Sequence, residues 1–331
     1  MRAGPAGAPD PAPVRVAVVG VGHLGRHHAR IAASLPGVAL TGVHDHHEGR
    51  AEQVAREHGL RVLAGPEETA ESADAVVIAT PTTTHARLAG FFLERGLDVL
   101  VEKPIASTVE EADALIAVAR RHGRVFAVGH VERHNPAVAV ALATVAEPLF
   151  IEAHRLGVFQ PRGLDVDVVH DLMIHDLQLV ASWVGRPVRE VRAAGAPVLT
   201  PRLDIAQARI EFEGGCVANL TASRVSAEKM RKLRVFGGDV YCSVDMDGRS
   251  ASASRLIRDA GPTRLETLPV TVPEGDPLGL EIADFLAAVR ERREPLVNGE
   301  AGREALRLAR RVSDAAEEHR RATGTTERSG P

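Results

Sequence analysis

Short, continuously apolar segments alternate with amphipathic helical segments through the first 130 residues of the chain. "VRVAVVG" and "VALTGVHD" are rich in β-branched residues, and "HHARIAASL" between them has helical spacing. "ADAVVIAT", "DVLVEK" and "RVFAVGH" follow in the same rhythm, each after a helical segment. Strands joined by helices run parallel and are buried on both faces. The pattern therefore predicts an α/β domain whose parallel sheet is covered by helices on both sides.

The second half of the chain has a different pattern of predicted secondary structure. From "LFIEAHRLGVF" onward, long β-rich segments follow one another, and "EGG" and "FGGD" between them are hairpin signals. Successive strands without intervening helices pair antiparallel. The segments "GLEIADFLAAVRERRE" and "AGREALRLARRVSDAAEEHRR" are helical again. We therefore expect a C-terminal α/β domain with a mostly antiparallel, open sheet.

The composition argues against several classes of function. A net charge of −4 and 3% aromatic residues do not suit a nucleic-acid surface. No apolar run approaches the roughly 20 residues that span a bilayer. "MRAGPAGAPDPAP" lacks the apolar core of a signal peptide, so a cytoplasmic protein is expected. Cys216 and Cys242 form neither a disulfide framework nor a zinc cluster. Residues 1–13 and 322–331 are expected to be disordered tails.

The turn after the first strand reads "GVGHLG", the G-x-G-x-x-G pattern of a dinucleotide site. Gly20 permits the tight turn, Gly22 lets a pyrophosphate approach the backbone, and Gly25 allows close packing of helix and strand. Asp45 lies twenty residues after Gly25, where a carboxylate can accept hydrogen bonds from the adenine ribose. Because a 2′-phosphate would face that carboxylate, the pattern predicts NAD rather than NADP. The histidines around Asp45 fit an exposed turn, and no metal is expected.

Three residues are candidates for the chemistry. Lys103 follows the strand "DVLV", at the carboxyl end of a parallel sheet, where α/β folds bind ligands. Asp171 and His175 are four apart in "VVHDLMIHDLQLV", so on a helix they would share one face, whereas His170 and Asp176 would point elsewhere. An imidazole suits removal of an alcohol proton. Asp171 could fix the tautomer of His175 or bind a substrate hydroxyl, and Lys103 could stabilise an alkoxide or itself act as the base.

Four motifs in order, "GVGHLGRHHARI", "ATPTTTH", "VEKP" and "DLMIHD", resemble the Gfo/Idh/MocA family of nicotinamide-dependent oxidoreductases. The resemblance runs from about Val14 to about Arg320. It implies an NAD-binding Rossmann domain, 14–133, and a substrate-binding domain, 134–321, whose terminal helices could pack back on the first domain. The second domain of this family usually carries an oligomer interface, so a homo-oligomer, dimer or tetramer, is expected.

The resemblance also implies roles for individual residues. Lys103 would lie near the nicotinamide and the reacting hydroxyl, and His175 would lie beside that hydroxyl. Further residues implied at the cofactor site are His23, Leu24, Thr80, Pro81, Thr82, His85 and Glu102.

Three longer segments, "VGHVERHNPAV", "DVDVVHDLMIHDLQLV" and "NLTASRVSAEKMRKLRVFG", look most like one branch of the family. That branch oxidises the 3-hydroxyl of UDP-N-acetylglucosamine-type sugars to a ketone. His134 and His170 depart from its pattern, and His170 could contact substrate or cap the helix. Arg155 is the favoured cation for the diphosphate, because its strand enters the second domain. The full set of cationic or polar groups available to a diphosphate is Arg133, Asn135, Arg155, Arg224, Lys229 and Arg231.

Two other functions fit the sequence. A dehydrogenase of a free polyol or sugar, of the inositol or glucose type, would use the same hydride chemistry. A non-catalytic NAD-binding sensor could share the fold. The joint presence of Lys103, Asp171 and His175 argues against the sensor, which has no need for all three.

Overall fold

The structure is a computed structural model that describes residues 12–160, 166–258 and 262–324. The predicted tails, 1–13 and 322–331, lie largely outside these residues. The chain divides into two compact units. The first contains the described residues up to 102 together with 114–127 and 282–295, and the second contains 103–113, 128–281 and 296 onward.

The first sheet has five strands among the described residues, in the order β2-β1-β3-β4-β5. The strands are β1 (Val14–Val19), β2 (Val38–His44), β3 (Ala75–Ile78), β4 (Asp98–Glu102) and β5 (Phe126–Gly129). The strand β1 pairs parallel with β2 and with β3, and β3 pairs parallel with β4. Every residue of β3 and β4 is buried, which explains why both segments are continuously apolar or nearly so. The predicted parallel sheet is confirmed.

Helices alternate with these strands. They are α1 (Gly25–Ser34), α2 (Glu48–His58), α3 (Pro66–Ser72), α4 (His85–Glu94) and α5 (Val109–His122). The helix α2 ends at Gly59, which adopts the left-handed conformation with φ of 64° that a residue without Cβ takes easily. The carboxyl ends of β1 and β3 lead directly into the turns before α1 and α4, so these turns carry the residues expected to bind the cofactor.

The second sheet has eight strands among the described residues, in the order β13-β12-β11-β10-β6-β9-β8-β7. They are β6 (Phe150–Leu156), β7 (Val188–Ala196), β8 (Ile205–Phe212), β9 (Val217–Ser223), β10 (Met230–Phe236), β11 (Val240–Asp245), β12 (Ser250–Ile257) and β13 (Arg264–Leu268). Neighbouring strands pair antiparallel except β6 and β9, which run parallel. The predicted mostly antiparallel sheet is confirmed.

One face of this sheet is buried beneath helices. The helices of the second unit in the described chain are α6 (Pro136–Thr144), α7 (Ile174–Val184) and α9 (Gly299–Ala322), whereas most of α8 (Pro277–Glu291) belongs to the first unit. Burial alternates along β8, so that Ile210 and Phe212 join a core with Leu177 of α7 and Leu308 of α9. Each such side chain contributes roughly 1.5–3 kcal/mol by leaving water. This core fixes α7 against the sheet.

The segment "VVHDLMIHDLQLV" is not one regular helix. A π-helical turn, Val169–Met173, precedes α7. The carboxylate of Asp167 accepts the backbone N–H of His170 at 2.9 Å at the start of this turn. Because a π turn is wider than an α turn, the predicted i, i+4 relation between Asp171 and His175 does not apply in its simple form.

None of the described helices is both long enough and apolar enough to cross a membrane.

Candidate active site

The glycine-rich turn leaves space at one glycine and none at the other two. Gly20 has φ of +85°, and a Cβ there would lie 2.7 Å from the Ala79 carbonyl oxygen. A Cβ on Gly25 would lie 1.7 Å from the Gly20 carbonyl oxygen, so the helix could not approach the strand. A Cβ on Gly22 would meet only Arg50, at 3.9 Å. Gly20 and Gly25 therefore serve packing, while the backbone at Gly22 is open to a ligand.

The first turn of α1 suits the pyrophosphate of a dinucleotide. Its N-cap residue, Leu24, makes no side-chain capping hydrogen bond, and the first turn has no acidic residue. Both His23 and Leu24 are exposed. Uncapped N–H groups at a helix N-terminus attract anions through their partial positive charge. The turn thus fits the phosphates of NAD.

Asp45 is held firmly at the end of β2. Its Oδ2 accepts the N–H of Val21 at 2.9 Å and its Oδ1 accepts that of His47 at 2.8 Å. Burial tends to raise the pKa of Asp45, but these backbone donors, helped by Arg50 at 3.5 Å, lower it overall. A carboxylate has about four acceptor positions, so Asp45 keeps acceptor capacity beyond these two backbone hydrogen bonds.

The loop after β3 is built around His85. The His85 ring is buried, and its Nε2 donates to the carbonyl oxygen of Thr80 at 2.9 Å. Thr80 and Thr84 share a hydroxyl hydrogen bond of 2.7 Å. Pro81 is exposed and Thr82 half-buried. His85 therefore shapes the loop from inside, whereas Pro81, which is exposed, and Thr80 and Thr82, which are half-buried, are accessible to a cofactor.

Glu102 is buried at the end of β4. One of its oxygens, Oε1, lies 2.7 Å from Nε2 of His28 on α1. The pair ties the helix of the glycine-rich motif to the residue immediately before Lys103. His28 is not among the residues predicted from the sequence, although it lies three residues after Gly25.

In the second unit, Lys103 and Asp171 are in contact. The Nζ of Lys103 donates to the carbonyl oxygen of Asp171 at 2.7 Å and lies 3.5 Å from its Oδ1. The side chain of Lys103 is only 16% exposed. The carboxylate and the backbone of Asp171 therefore hold the Lys103 ammonium in place.

His175 is a half-buried base. Its Nδ1 is buried and has no hydrogen-bond partner among the described residues, and the Oδ1 of Asp171 lies 3.5 Å from the Nζ of Lys103. Its ring meets that of His130 edge to face, with centroids 5.9 Å apart. Burial, and then the positive charges of Lys103 and Arg155, hold the pKa of His175 well below its usual value. This shift favours the neutral imidazole, the form that can accept a proton.

The structure does not leave Arg155 free to bind a diphosphate, contrary to the expectation from the sequence. Its guanidinium donates to Asp176 Oδ2 and Oδ1 at 2.9 and 2.7 Å and to Glu132 Oε1 at 2.8 Å. All three side chains are buried. The two carboxylates already neutralise the charge, so a phosphate would have to displace one of them.

Asn135, also predicted to bind substrate, has a structural role instead. Its Oδ1 accepts the N–H of Ala137 and caps α6, and its Nδ2 donates to the Met246 carbonyl oxygen at 2.9 Å. Arg133 is half-buried on the 3₁₀ turn Val131–His134.

His170 is engaged by Asp167. Its Nδ1 lies 2.8 Å from Asp167 Oδ1, and its side chain is 25% exposed. Asp167 also accepts the hydroxyl of Ser313 on α9. Burial tends to raise the pKa of Asp167, but the His170 and Ser313 contacts outweigh it and lower the pKa to about 2. His170 thus helps to fix the π-helical turn that carries Asp171.

A cavity of about 400 Å³ opens beside Asp171. Its wall includes Gln160 and Leu172 and is rich in cations. Lys229 is half-exposed and pairs with Asp247, and Arg231 is 39% exposed and lies 3.4 Å from Glu132. The cationic residues of the wall are Arg155, Arg224, Lys229 and Arg231.

Comparison with known proteins gives the family. The description "Oxidoreductase family, NAD-binding Rossmann fold" matches residues 14–130, and the GFO/IDH/MocA C-terminal domain matches residues 155–240. The UDP-N-acetylglucosamine 3-dehydrogenase of Acidithiobacillus ferrooxidans is 39% identical over 92% of this chain and 97% of its own. The chain belongs to the Gfo/Idh/MocA family.

Two further similarities support this. A solved structure of the UDP-N-acetylglucosamine 3-dehydrogenase GnnA from Acidithiobacillus ferrooxidans has a TM-score of 0.86 and 40% identity, covering 92% of this chain and 98% of that one. The NAD(+)-dependent scyllo-inositol 2-dehydrogenase of Bacillus subtilis is 33% identical over 64% of this chain and 68% of its own. As a Gfo/Idh/MocA member, the chain is an NAD-binding oxidoreductase, which confirms the expected cofactor and enzyme class.

Several residues of this Gfo/Idh/MocA site could not be recognised from sequence. Glu132 and Asp176 are charged residues in apolar or mixed segments, which indicates that each is buried with a partner of opposite charge. The identity of that partner could not be predicted, because Arg155 lies 23 residues from Glu132 and 21 residues from Asp176. His130 directly follows β5 in the segment "VGHVERHNPAV", but nothing in that segment indicates that its ring meets His175. Only the fold reveals which of these groups meet.

Proposed function

We propose that the chain is an NAD-dependent dehydrogenase that oxidises the 3-hydroxyl of a UDP-N-acetylglucosamine-type sugar to a ketone. The observation that carries this proposal is the cation-lined cavity beside Asp171. A diphosphate needs Arg or Lys donors, whereas a neutral polyol has no charge to pair with them. The similarity to a UDP-N-acetylglucosamine 3-dehydrogenase over nearly the whole chain supports the same choice.

The proposed cations for the diphosphate are Lys229 and Arg231. Each has one carboxylate neighbour and a side chain about 40–50% exposed, so each keeps donors for a ligand. Arg155, with two carboxylates and a buried side chain, does not. The proposed diphosphate site therefore lies at the exposed end of the cavity, at Lys229 and Arg231, and not at Arg155.

The proposed chemistry divides an alcohol oxidation between two side chains. Bound NAD supplies the hydride acceptor, and Gly22, the first turn of α1 and Asp45 would hold it. As the C–H bond breaks and the carbonyl forms, the hydroxyl proton passes to neutral His175. Lys103, held by Asp171, stabilises negative charge on the substrate oxygen as that proton leaves. The lowered pKa of His175 favours its neutral form, which has a nitrogen lone pair to accept the proton, whereas the Nζ of Lys103 donates to Asp171.

A dehydrogenase of free inositol or a related polyol is the second candidate, favoured by the 33% identity to the scyllo-inositol enzyme. An assay with UDP-N-acetylglucosamine, inositol and glucose as substrates distinguishes the two candidates. The reduction of NAD is measured by the absorbance of the reduced nicotinamide. The nucleotide sugar should be oxidised, UDP should compete with it, and its KM should rise with salt. Turnover of inositol or glucose without inhibition by UDP at millimolar concentration would instead establish the second candidate.

Matched variants localise the effect. Arg231→Gln should raise KM for the nucleotide sugar about tenfold or more, as loss of a charge-assisted hydrogen bond does, and leave NAD binding intact. Lys232→Gln is the control, because Lys232 is exposed on the opposite face of β10. Equal KM values for the two variants would contradict the assignment of the diphosphate to this cavity.

We further propose a cytoplasmic homo-oligomer. Both cysteines are free and buried, as suits a reducing compartment. Phe236, 37% exposed, contacts the ring of Tyr241 on the face of the second sheet away from the helices, with ring centroids 4.8 Å apart, and such aromatic patches are common at interfaces. Light scattering after size-exclusion chromatography should give a dimer or tetramer, and a monomer at micromolar concentration would contradict this.

A further inference from the structure

Arg155 lies at the centre of a buried ionic network in the second unit. It makes two hydrogen bonds to Asp176 and one to Glu132, all between 2.7 and 2.9 Å. The exposures of the three side chains are 6% or less. Glu132 also accepts a hydrogen bond from Asn135 Nδ2 at 3.2 Å, and its carboxylate lies 3.4 Å from the guanidinium of Arg231. Every member of the network is thus satisfied.

The three residues come from three different elements. Arg155 is on β6, Asp176 is in the first turn of α7, and Glu132 is on the 3₁₀ turn Val131–His134. Asp176 directly follows His175, and Glu132 lies two residues after His130. The guanidinium of Arg155 therefore holds together the two segments that carry His130 and His175, whose ring centroids are 5.9 Å apart.

Stability alone does not account for such a network. Removing two carboxylates and a guanidinium from water costs several kcal/mol each, and well-packed apolar residues often replace buried ion pairs without loss of stability. What apolar residues cannot reproduce is a fixed bidentate geometry and a permanent charge. Burial works against the charge on Arg155, but Asp176 and Glu132 raise its pKa above its ordinary value.

We propose that Arg155 is a positioning residue for the dehydrogenase reaction: by gripping Asp176 and Glu132 it fixes the His175 ring and adds a permanent positive charge near it. This inference rests on the proposed function, in which His175 accepts the substrate proton. Arg155 acts through the helix that carries His175 and through its charge, and it needs no contact with substrate.

The charges around His175 come from several elements. Its pKa is lowered by burial first and then by Lys103, Arg155, His130 and Arg231. The carboxylates nearest to these groups oppose that effect. They are Asp171 on the π-helical turn, Asp176 on α7 and Glu132 on the 3₁₀ turn.

Three variants separate geometry from charge. Arg155→Lys keeps the positive charge but loses the bidentate contact. Its kcat should therefore fall roughly 10²-fold, which is the cost of a misplacement of about 1 Å. The acidic limb of its kcat/KM–pH profile should stay at the wild-type pH, because the charge near His175 is unchanged. Arg155→Gln loses both, so kcat should fall as far and the limb should move to higher pH. Asp176→Asn keeps the cation and removes a negative charge, so the limb should move the other way.

Each variant is assayed as the full chain, with NADH affinity and thermal unfolding measured alongside. A purely structural role would lower Tm and the active fraction but leave the limb where it is in all three variants. The inference is overturned if folded, NADH-binding Arg155→Gln keeps wild-type kcat or an unshifted limb.

A His175→Asn variant tests the underlying proposal separately. If His175→Asn is inactive while the Arg155 variants behave as wild type, the proton acceptor stands and the positioning role is wrong. If His175→Asn retains activity, the assignment of His175 as the proton acceptor is wrong, and the positioning role of Arg155 fails with it, whereas the proposed reaction stands.

Discussion

Replacing Gly22 by alanine should weaken cofactor binding without destabilising the fold, whereas replacing Gly25 by alanine should destabilise the fold. A Cβ at Gly22 meets nothing closer than Arg50 at 3.9 Å, and Gly22 does not adopt a left-handed φ. Gly22→Ala should therefore leave the apo protein intact, with a free energy of unfolding unchanged or higher by about 0.4–1 kcal/mol, because alanine restricts the unfolded chain. The added methyl stands where the pyrophosphate would approach the backbone.

The loss of NADH affinity can be worked out from that position. Loss of one backbone hydrogen bond to a charged phosphate oxygen costs about 1.5–3 kcal/mol. At about 1.4 kcal/mol per factor of ten, Kd should rise roughly 10- to 100-fold. Titration calorimetry with NADH measures it directly, and thermal unfolding without cofactor gives the stability.

Gly25→Ala is the matched contrast. Its Cβ would stand 1.7 Å from the Gly20 carbonyl oxygen, a backbone atom that cannot move aside. We expect a loss of stability on the order of 3 kcal/mol or more. If Gly22→Ala bound NADH as tightly as the wild type, the open glycine would not mark the pyrophosphate position and the reasoning would be refuted.

The remaining predictions concern single side chains. Asp45→Ser should weaken NAD and raise the kcat/KM ratio of NADP to NAD, and a wild type that prefers NADP would contradict the ribose assignment. His175→Ala should lower kcat by roughly 10² or more, whereas His170→Ala should lower it much less; equal losses would contradict the assignment of the proton acceptor to His175. Because the pKa of His175 is lowered, the acidic limb of kcat/KM should lie below pH 6.5, the ordinary value, and a limb above it would be inconsistent with the buried imidazole. Asp167 has a folded pKa of about 2 against 3.8, so its ionised form stabilises the fold above pH 3.8 and that contribution disappears as pH falls toward 2. Asp167→Asn should therefore lower the free energy of unfolding by about 2 kcal/mol in urea titrations at pH 7 and by almost nothing near pH 2.

The fold could be predicted because its signals are local. The continuous burial of β3 and β4 leaves an apolar run, and the steric needs of Gly20 and Gly25 leave a spacing that can be read directly. The position of Lys103 after β4 follows from the same alternation.

The electrostatics of the site could not be predicted because they depend on long-range partners. Arg155 was expected to be a free cation, but its carboxylates come from a turn and a helix on either side of it in sequence. The π-helical turn was missed for a related reason, since Asp167 ties it to Ser313 on a distant helix. Periodicity identifies which residues share an element, not which elements meet.

The parallel pair β6–β9 has a consequence for how the second unit is made. The strand β6 is made before every other strand of its sheet, yet it is flanked by β9 and β10. During synthesis, β6 therefore has two open hydrogen-bonding edges until β9 has left the ribosome, and one open edge until residues up to Phe236 have followed. Sheets with such non-local pairing fold slowly, and open edges promote aggregation. Fragments that end before Val217 should then be insoluble, because β6 would lack both neighbours.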